Sequence, residues 1–291
     1  MAVVNTNVSA SIAQNALMRN ERDMNTAMER LSTGARINAA KDDAAGLAVS
    51  SRMTSQIRGL ETGIRNANDA ISMLNTGDGA LVEVTNMLQR MRELAIQASN
   101  GTTASADRSY LNDEYQNLAA EIERIARNTQ WNGREIFTGE ANGSADSVVA
   151  FQVGANAGQT VSVDFGDITQ SGSTQFAFFA TGGASGDSIA ADTAASALTT
   201  ASAAISAIDD AITAVNEQRA TFGAAVNQLT YAVDNLSNVK VNAEASRSRI
   251  LDADYAKETS ELARTQIIQQ AGTAMLAQAN QLPQTVLSLI Q

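Results

Sequence analysis

Apolar residues recur at alternating spacings of four and three in two stretches of this chain. The first stripe consists of Met53, Ile57, Leu60, Ile64, Ala67, Ile71 and Leu74. The second stripe consists of Ile205, Ile208, Ile212, Val215, Phe222, Val226, Leu229, Val233 and Leu236. This spacing places the side chains along one narrow face of a helix, as in a coiled coil. Because a narrow apolar face needs a partner, we expect the chain to fold back so that the two stripes pair in an antiparallel rod.

The first stripe changes phase around Gly77 and Gly79. One apolar series keeps its seven-residue repeat, whereas its companion series moves one position earlier, to Val84 and Met91. The uninterrupted series is Leu74, Leu81, Leu88 and Ala95. Each glycine costs about 1 kcal/mol in a helix interior, but the unbroken repeat favours one continuous helix across both of them.

Capping residues and turns set the limits of this long helix. Asp42 or Asp43 can cap its beginning, and Asn100-Gly101 ends it. A third helix is predicted at about residues 104–128. Its short connection indicates that it packs antiparallel against the long helix, and we expect the phase-shifted half of the first stripe to face it.

Two weaker apolar stripes lie at the ends of the chain. The N-terminal stripe, in a helix predicted at about 3–32, contains Val8, Ile12, Leu17, Met24, Met28 and Leu31. The C-terminal stripe, in a helix predicted at about 256–290, contains Leu262, Ile267, Ile268, Ala271, Met275, Ala279, Leu282, Val286 and Leu289. Helices with so little apolar area are marginal alone. We expect these two to pair with each other, and polar linkers at 32–46 and 246–254 to join them to the rest.

The middle of the chain has a different pattern. Residues 148–153 and 160–165 alternate apolar and polar side chains around a loop from Gly154 to Gly158, which indicates a β-hairpin near 148–165. Residues 166–200 are rich in small and polar residues and predict a short variable surface segment. A fourth helix at about 202–244 carries the second stripe. The predicted fold is mainly α: a long antiparallel coiled-coil rod with a small β-hairpin and paired N- and C-terminal helices.

Composition narrows the possible functions. The 291 residues are 44% hydrophobic but only 4% aromatic, with a net charge of −11, which suits thin helices better than a globular enzyme core. The chain has no histidine and no cysteine, which excludes a Ser-His-Asp triad, thiol chemistry and an ordinary zinc site. No basic patch indicates nucleic-acid binding. We therefore expect a structural protein and not an enzyme, without cofactor or metal.

Neither a cleaved secretory signal nor a membrane span is expected. Residues 1–20 are polar and lack the charged start and apolar run of a signal peptide. No run approaches the roughly 18 apolar residues of a membrane-spanning helix. If the protein leaves the cell, we expect it to do so without a cleaved Sec-type signal.

Five strings of residues stand out in the chain: residues 31–50 (LSTGARINAAKDDAAGLAVS), 129–133 (TQWNG), 151–159 (FQVGANAGQ), 219–224 (RATFGA) and 248–254 (SRILDAD). These strings resemble those of bacterial flagellins. The similarity covers nearly all of the chain except 166–200. It implies an inner terminal coiled-coil domain from residues 1–43 and 254–291, a helical rod domain from residues 44–253, and no large outer domains.

The resemblance implies a structural subunit that self-assembles into the extracellular flagellar filament for swimming motility, with terminal helices that fold on assembly. It also implies a flagellar export chaperone, the filament cap and hook-junction proteins as partners. The hairpin, with Gly154 and Gly158, resembles the family's switch region between filament states. Two alternatives stay open: a hook–filament junction protein and, from a different class, a soluble coiled-coil signalling scaffold.

One segment resembles the flagellin patch that flagellin-sensing receptors of animals bind. Its residues are Gln89, Arg90, Glu93 and Leu94, with Glu114 at the matching acidic position on the next helix. Residues 286–290 resemble the terminal helix sensed by cytosolic receptors. The plainer interpretation of Arg90 and Leu94 is that they are rod-surface residues in a filament contact, and both interpretations require the two side chains to be exposed.

Overall fold

The computed structural model describes residues 7–139, 141, 147–168, 189 and 194–288. Within them the chain is mainly α. The helices are α1 (Val8–Thr33), α2 (Ala44–Ala98), α3 (Ser105–Asn128), α4 (Ala194–Leu251) and α5 (Tyr255–Ser288). The strands are β1 (Gln130–Trp131), β2 (Arg134–Glu135), β3 (Val148–Gln152) and β4 (Thr160–Asp164). Most of the predicted segment 166–200, Leu289, and the side chains of Leu282 and Val286 lie outside the described residues.

The chain divides into two compact units. The terminal unit comprises residues 1–57 and 241–291, and the central unit comprises residues 58–240. The domain limits predicted from the sequence, at 43/44 and 253/254, fall in the turns before α2 and before α5. Those limits stay a prediction as domain boundaries.

In the terminal unit, α1 and α5 pair antiparallel. The Asn7 side-chain amide donates to the Ala279 carbonyl at 2.8 Å, and the Asn20 amide donates to the Thr265 carbonyl at 2.7 Å. The turns that follow α1 and α4 also pair. Arg36 N–H donates to the Leu251 carbonyl at 2.6 Å, and Ala253 N–H donates to the Gly34 carbonyl at 2.9 Å. The predicted pairing of the terminal helices is therefore confirmed.

Two neighbouring aspartates build the turn that leads into α2. The Asp43 carboxylate accepts a hydrogen bond from Gly46 N–H at 2.8 Å and so caps the helix. The Asp42 carboxylate instead accepts from Ala39 N–H at 2.9 Å and from Asn38 N–H at 3.2 Å. These backbone hydrogen bonds, the one from Ala39 first, lower the pKa of Asp42.

In the central unit, α2 and α4 run antiparallel and contribute most of the core. Ion pairs mark their register: Glu61 with Lys240 at 2.9 Å, Asp78 with Arg219 at 2.8 Å, and Arg92 with Asp209 at 2.6 Å. The fully or almost fully buried residues include Leu60, Ala67, Leu74, Leu81, Leu88, Ile208, Val215, Phe222 and Leu229. The two predicted stripes are thus confirmed as core. Arg219 and Lys240, which each lie four residues after a member of the second stripe, pair with carboxylates.

The long helix α2 passes through both glycines without a break, as predicted. Gly77 faces an aromatic cluster, because a Cβ atom there would lie 3.0 Å from the Phe222 ring and 3.4 Å from the Phe137 ring. Gly79 has nothing within 4 Å of such a Cβ. Close packing therefore explains the first glycine, whereas nothing in the structure explains the second.

The phase-shifted half of α2 packs with α3, again as predicted. Leu88, Met91 and Ala95 share one buried cluster with Tyr115 and Ile122 of α3. At the turn between the helices, the buried Arg108 side chain donates from Nε to the Ala98 carbonyl at 3.2 Å. It thereby satisfies one of the carbonyls that the end of α2 leaves unpaired.

Helix α4 is longer than predicted at both ends. It runs from Ala194 to Leu251, so most of the predicted linker at 246–254 is helical. The half-buried residues continue the three-and-four spacing to Ile250. Arg247 of this extension donates to the Thr54 hydroxyl of α2 at 3.4 Å. The prediction of a linker from polarity was wrong because polar side chains take part in this packing.

By length and composition, one helix in the described part of the chain, Leu198–Leu251, is apolar enough to cross a membrane. The sequence led us to expect none. Its large apolar residues Ile208, Val215 and Phe222 are buried in the core of the central unit. A buried core helix passes the same test of length and composition.

The two strand pairs follow the turn residues. Asn132 and Gly133 both have positive φ, 50° and 77°, and close a two-residue turn between β1 and β2. Strands β3 and β4 pair antiparallel from Val148 opposite Asp164 to Gln152 opposite Thr160. The predicted hairpin is confirmed.

Candidate assembly surfaces

The side of α1 that faces α5 carries small and polar residues among a few large apolar ones. Its buried and half-buried positions recur at spacings of three and four: Ala10, Ala13, Leu17, Asn20, Met24, Ala27 and Leu31. We call these positions the α1 seam. Leu17, Met24 and Leu31 of the predicted stripe lie on it. Met28 does not, because Ala27 takes the position against α5 and leaves Met28 51% exposed.

The facing side of α5 is more polar than that of α1. Its buried and half-buried positions are Glu258, Leu262, Thr265, Gln269, Gly272, Leu276 and Ala279, which we call the α5 seam. Leu17 packs into the space left by Gly272, where a Cβ atom would lie 2.5 Å from Leu17 Cδ2. Small and polar residues let the two helices approach closely but bury little apolar area.

Four residues of the apolar stripe predicted on α5 lie on the other side of the helix, whereas Leu262 and Ala279 of that stripe lie on the α5 seam. Ile267 is 66% exposed, Ile268 42% and Met275 67%. With Ala271, also exposed, they form a continuous patch that we call the outer stripe of α5. The expectation that this stripe pairs with α1 was wrong for Ile267, Ile268, Ala271 and Met275. Its periodicity is that of an amphipathic helix, but α1 binds the α5 seam, which has a different phase.

Two polar contacts set the register of the α1–α5 pair. Buried Asn20 donates to the Thr265 carbonyl at 2.7 Å and to Gln269 Oε1 at 3.1 Å. Arg30 Nη1 lies 3.2 Å from Oε1 of Glu258, which is buried. A buried polar side chain at a seam position lowers stability but specifies one register. Neither contact was predicted from the sequence, although Asn20 lies three residues after Leu17 and therefore on the same face of the helix.

The hairpin loop between β3 and β4 packs on α2. A Cβ atom at Gly59 would lie 2.9 Å from Ala155 Cβ, and one at Gly63 would lie 2.7 Å from the Val153 carbonyl oxygen. One turn further along, the Asn66 side-chain amide donates to the Gln152 carbonyl at 3.0 Å. Gly59 and Gly63 therefore form a notch in α2 that admits the loop, and their spacing of four was a signal that the sequence analysis passed over.

Within this loop, the two glycines singled out from the sequence have different reasons to be glycine. Gly158 has φ +83°, a conformation that other residues adopt only with strain. At Gly154 a Cβ atom would lie 2.6 Å from Gln159 Cβ. Gln152 holds the loop closed by donating to the carbonyls of Gly154 at 2.9 Å and Asn156 at 2.7 Å.

The receptor-like patch is partly exposed and partly buried. Gln89, Arg90, Glu93 and Glu114 are exposed, and Arg90 pairs with Glu93 at 3.0 Å and Glu114 at 2.8 Å. Hydrogen bonds to these carboxylates, Glu93 first, raise the pKa of Arg90. Leu94 is only 1% exposed and belongs to the core. The expectation that Leu94 lies on the surface was wrong, because the phase shift of the first stripe turns it toward the buried side of α2.

Comparison with known proteins gives one consistent result. The model of the bacterial flagellin N-terminal helical region matches residues 4–142, and that of the C-terminal helical region matches residues 205–290. A flagellin of Halalkalibacterium halodurans is 44% identical over 289 residues, which are 99% of this chain and 100% of the relative. Flagellin A of Vibrio cholerae is 35% identical over 375 aligned residues, 99% of each chain.

One solved structure, described as a flagellar hook-associated protein from Vibrio parahaemolyticus, has a TM-score of 0.57. It is 18% identical and covers 72% of this chain and 100% of its own. At this identity the likeness shows the fold alone.

The fold and the helix faces define a mainly helical protein whose paired ends leave apolar surface exposed. The chain belongs to the flagellin family. It is a structural subunit of the bacterial flagellar filament, an extracellular appendage for motility, and it polymerises with copies of itself. The hook–filament junction protein and the signalling scaffold are not favoured.

Proposed function

We propose that the terminal helices of this filament subunit become fully ordered only when other copies of the chain cover the outer stripe of α5. The observation that carries the proposal is the exposure of Ile267, Ile268 and Met275 on a helix whose paired face is mostly polar or small. A pair that buries so little apolar area gains little free energy to offset the entropy of ordering two helices. A second copy of the chain is the occupant because the family polymerises.

Amide hydrogen exchange of monomer and filament tests this proposal. In the monomer, amides of α1 and α5 are expected to exchange at least about a hundredfold faster than those of α2 around Leu81, which is fully buried. In the filament, the terminal helices gain protection. Protection of α1 and α5 in the monomer equal to that of α2 would overturn the proposal.

We further propose that the hairpin loop at Gly154 and Gly158 is a switch between filament shapes. The loop contacts the notch of Gly59 and Gly63 through Ala155 and the Val153 carbonyl. A change of loop conformation therefore pulls no large side chain out of α2, although it gives up this close backbone contact. Gly158→Ala introduces strain at φ +83° and biases the loop against its present conformation. Filaments of this variant, imaged by electron microscopy beside Gly79→Ala filaments, should change their helical shape. An unchanged shape counts against a switch.

The remaining partners follow from the family. We propose that an export chaperone, the filament cap and hook-junction proteins bind this chain, and that its role is structural and non-enzymatic. A chaperone that covers the outer stripe of α5 before assembly would prevent premature association of that apolar surface. An animal receptor that binds the receptor-like patch would contact Gln89, Arg90, Glu93 and Glu114 rather than the buried Leu94.

A further inference from the structure

We propose that oxidation of Met18, Met28 and Met275 by a peroxide is a modification that stops this chain from polymerising. The inference rests on the proposed function, because it requires that assembly covers the exposed faces of the terminal helices. It adds regulation of polymerisation by oxidation, which does not follow from the exposure of these surfaces alone.

The methionines of this chain differ sharply in exposure. Met18 is 48% exposed, Met28 51% and Met275 67%, and all three lie on α1 or α5. Met73 and Met91 in the core of the central unit are 5% and 0% exposed. Met24, Met53 and Met87 are half-buried. The most accessible thioethers of the described residues therefore lie on the two terminal helices, α1 and α5.

The chemistry needs only an oxidant of the peroxide class. The thioether sulfur attacks one oxygen of hydrogen peroxide, and the O–O bond breaks. The attacked oxygen becomes the sulfoxide oxygen, and the other oxygen leaves as water with both protons. The sulfur loses two electrons and the peroxide gains them. Because no cysteine is present in the chain, no thiol competes for the oxidant, and accessible methionine is the side chain most readily oxidised in this way.

The sulfoxide changes the surface that assembly must bury. It converts a flexible apolar side chain into a polar one that holds water. Met275 lies within the outer stripe of α5, next to Ala271 in helical register and one turn beyond it. A sulfoxide there places an oxygen that needs a hydrogen bond on a face that a second copy would dehydrate. Oxidation of the monomer thus opposes assembly, whereas assembly shields the same sulfur atoms.

The experiment treats the full-length monomer with hydrogen peroxide and follows each methionine by peptide mass spectrometry. Elongation of filament seeds is then measured by light scattering. We expect Met18, Met28 and Met275 to oxidise at least about tenfold faster than Met73 and Met91, and seed elongation to fall by at least about tenfold. In preformed filaments the oxidation of the three residues should slow by a similar factor.

Two variants and one rescue separate this effect from general damage. The triple variant Met18→Leu, Met28→Leu, Met275→Leu should elongate seeds after peroxide treatment as it does before. The control Met24→Leu, Met53→Leu, Met87→Leu should stay sensitive. Purified methionine sulfoxide reductases, supplied with a dithiol that is oxidised to its disulfide, should restore elongation of oxidised wild-type protein. This arm decides the question even if the triple variant assembles poorly.

The outcomes that overturn the inference differ from those that overturn the proposed function. Equal oxidation rates at exposed and buried methionines, undiminished elongation after oxidation, or failure of the reductases to restore it would each overturn the inference alone. Failure of untreated protein to elongate seeds would overturn the proposed function and this inference with it.

Discussion

The side-chain amide of Asn20 donates a hydrogen bond to the main-chain carbonyl of Thr265, at 2.7 Å, across the pair of terminal helices. This contact is buried in a seam that combines small, polar and a few large apolar residues. Polar contacts therefore determine the register of α1 against α5. The pair is therefore weak but specific, which suits helices that must order late and in only one arrangement.

Replacing Asn20 by an apolar residue should stabilise the α1–α5 pair but make its register less specific. Asn20→Leu adds apolar contact and should raise the melting temperature of the pair, while it allows a register displaced by one heptad. The chain has no cysteine, so engineered disulfides report the register: Leu17→Cys with Gly272→Cys for the native one, and Leu17→Cys with Ala279→Cys for the displaced one. Met24→Leu, a neighbouring seam change that leaves this hydrogen bond intact, should give the native cross-link only. An unchanged cross-linking pattern in Asn20→Leu would mean that contacts other than the Asn20 hydrogen bonds set the register.

The ion pair of Glu61 and Lys240 makes the stability of the central unit depend on pH in the acid range. The hydrogen bond from Lys240, followed by its charge, lowers the pKa of Glu61 below the ordinary value of 4.5. A carboxyl whose folded-state pKa is lowered stabilises the fold above its unfolded pKa, and this contribution is lost as the pH falls through the folded value. In Lys240→Met the pKa of Glu61, followed by NMR titration, should rise toward 4.5. An unmoved titration curve would mean that the pair does not persist in solution.

The notch in α2 predicts opposite effects for two glycine substitutions in the same helix. Gly63→Ala places a Cβ atom 2.7 Å from the Val153 carbonyl oxygen, so the hairpin loop must move and the free energy of unfolding should fall by about 1–3 kcal/mol. Gly79→Ala meets nothing within 4 Å and should raise that free energy by up to about 1 kcal/mol through helix propensity. Urea denaturation measures both, and equal effects of the two changes would contradict the notch.

Leu94 and Arg90 should differ in how much they contribute to the free energy of unfolding. Leu94→Ala opens a cavity in the core and should lower the free energy of unfolding by about 2–5 kcal/mol. Arg90→Ala removes only solvent-exposed ion pairs and should lower the free energy of unfolding far less than Leu94→Ala does. Urea denaturation measures both changes. A small effect of Leu94→Ala would indicate that Leu94 lies on the surface and not in the core.

The sequence predicted the elements whose apolar residues find their partners within the chain. The repeat through Leu74, Leu81 and Leu88 identified the core face of α2, because large apolar side chains at heptad positions have few other places to go. Leu94 was placed on the surface by its resemblance to a receptor-bound patch, whereas the shift in phase of the first stripe brings it to the buried side of α2. The repeat also could not show that Arg108 folds back to cap α2, since that contact depends on the turn.

The terminal helices show a different limit. The stripe through Ile267 and Met275 is the most apolar face of α5, and periodicity alone assigns it to the partner helix. The structure uses the seam through Thr265 and Gly272 instead, because small residues let α1 approach and polar ones pair with Asn20. A sequence does not state which of two faces pairs within the chain and which awaits another copy. The hairpin loop was likewise found from its alternation, but its docking site at Gly59 and Gly63 was not.

Seed elongation by Ile268→Asp, with Ile268→Leu as the matched control, shows whether other copies of the chain cover the outer stripe of α5. We expect Ile268→Asp monomer to keep a folded central unit, with α2 amides around Leu81 as protected as in wild-type protein. The variant should elongate filament seeds at least about tenfold more slowly, because a charge cannot be buried on the outer stripe of α5 without a partner. Ile268→Leu should elongate at the wild-type rate. Wild-type elongation by Ile268→Asp would contradict the claim that other copies of the chain cover this stripe.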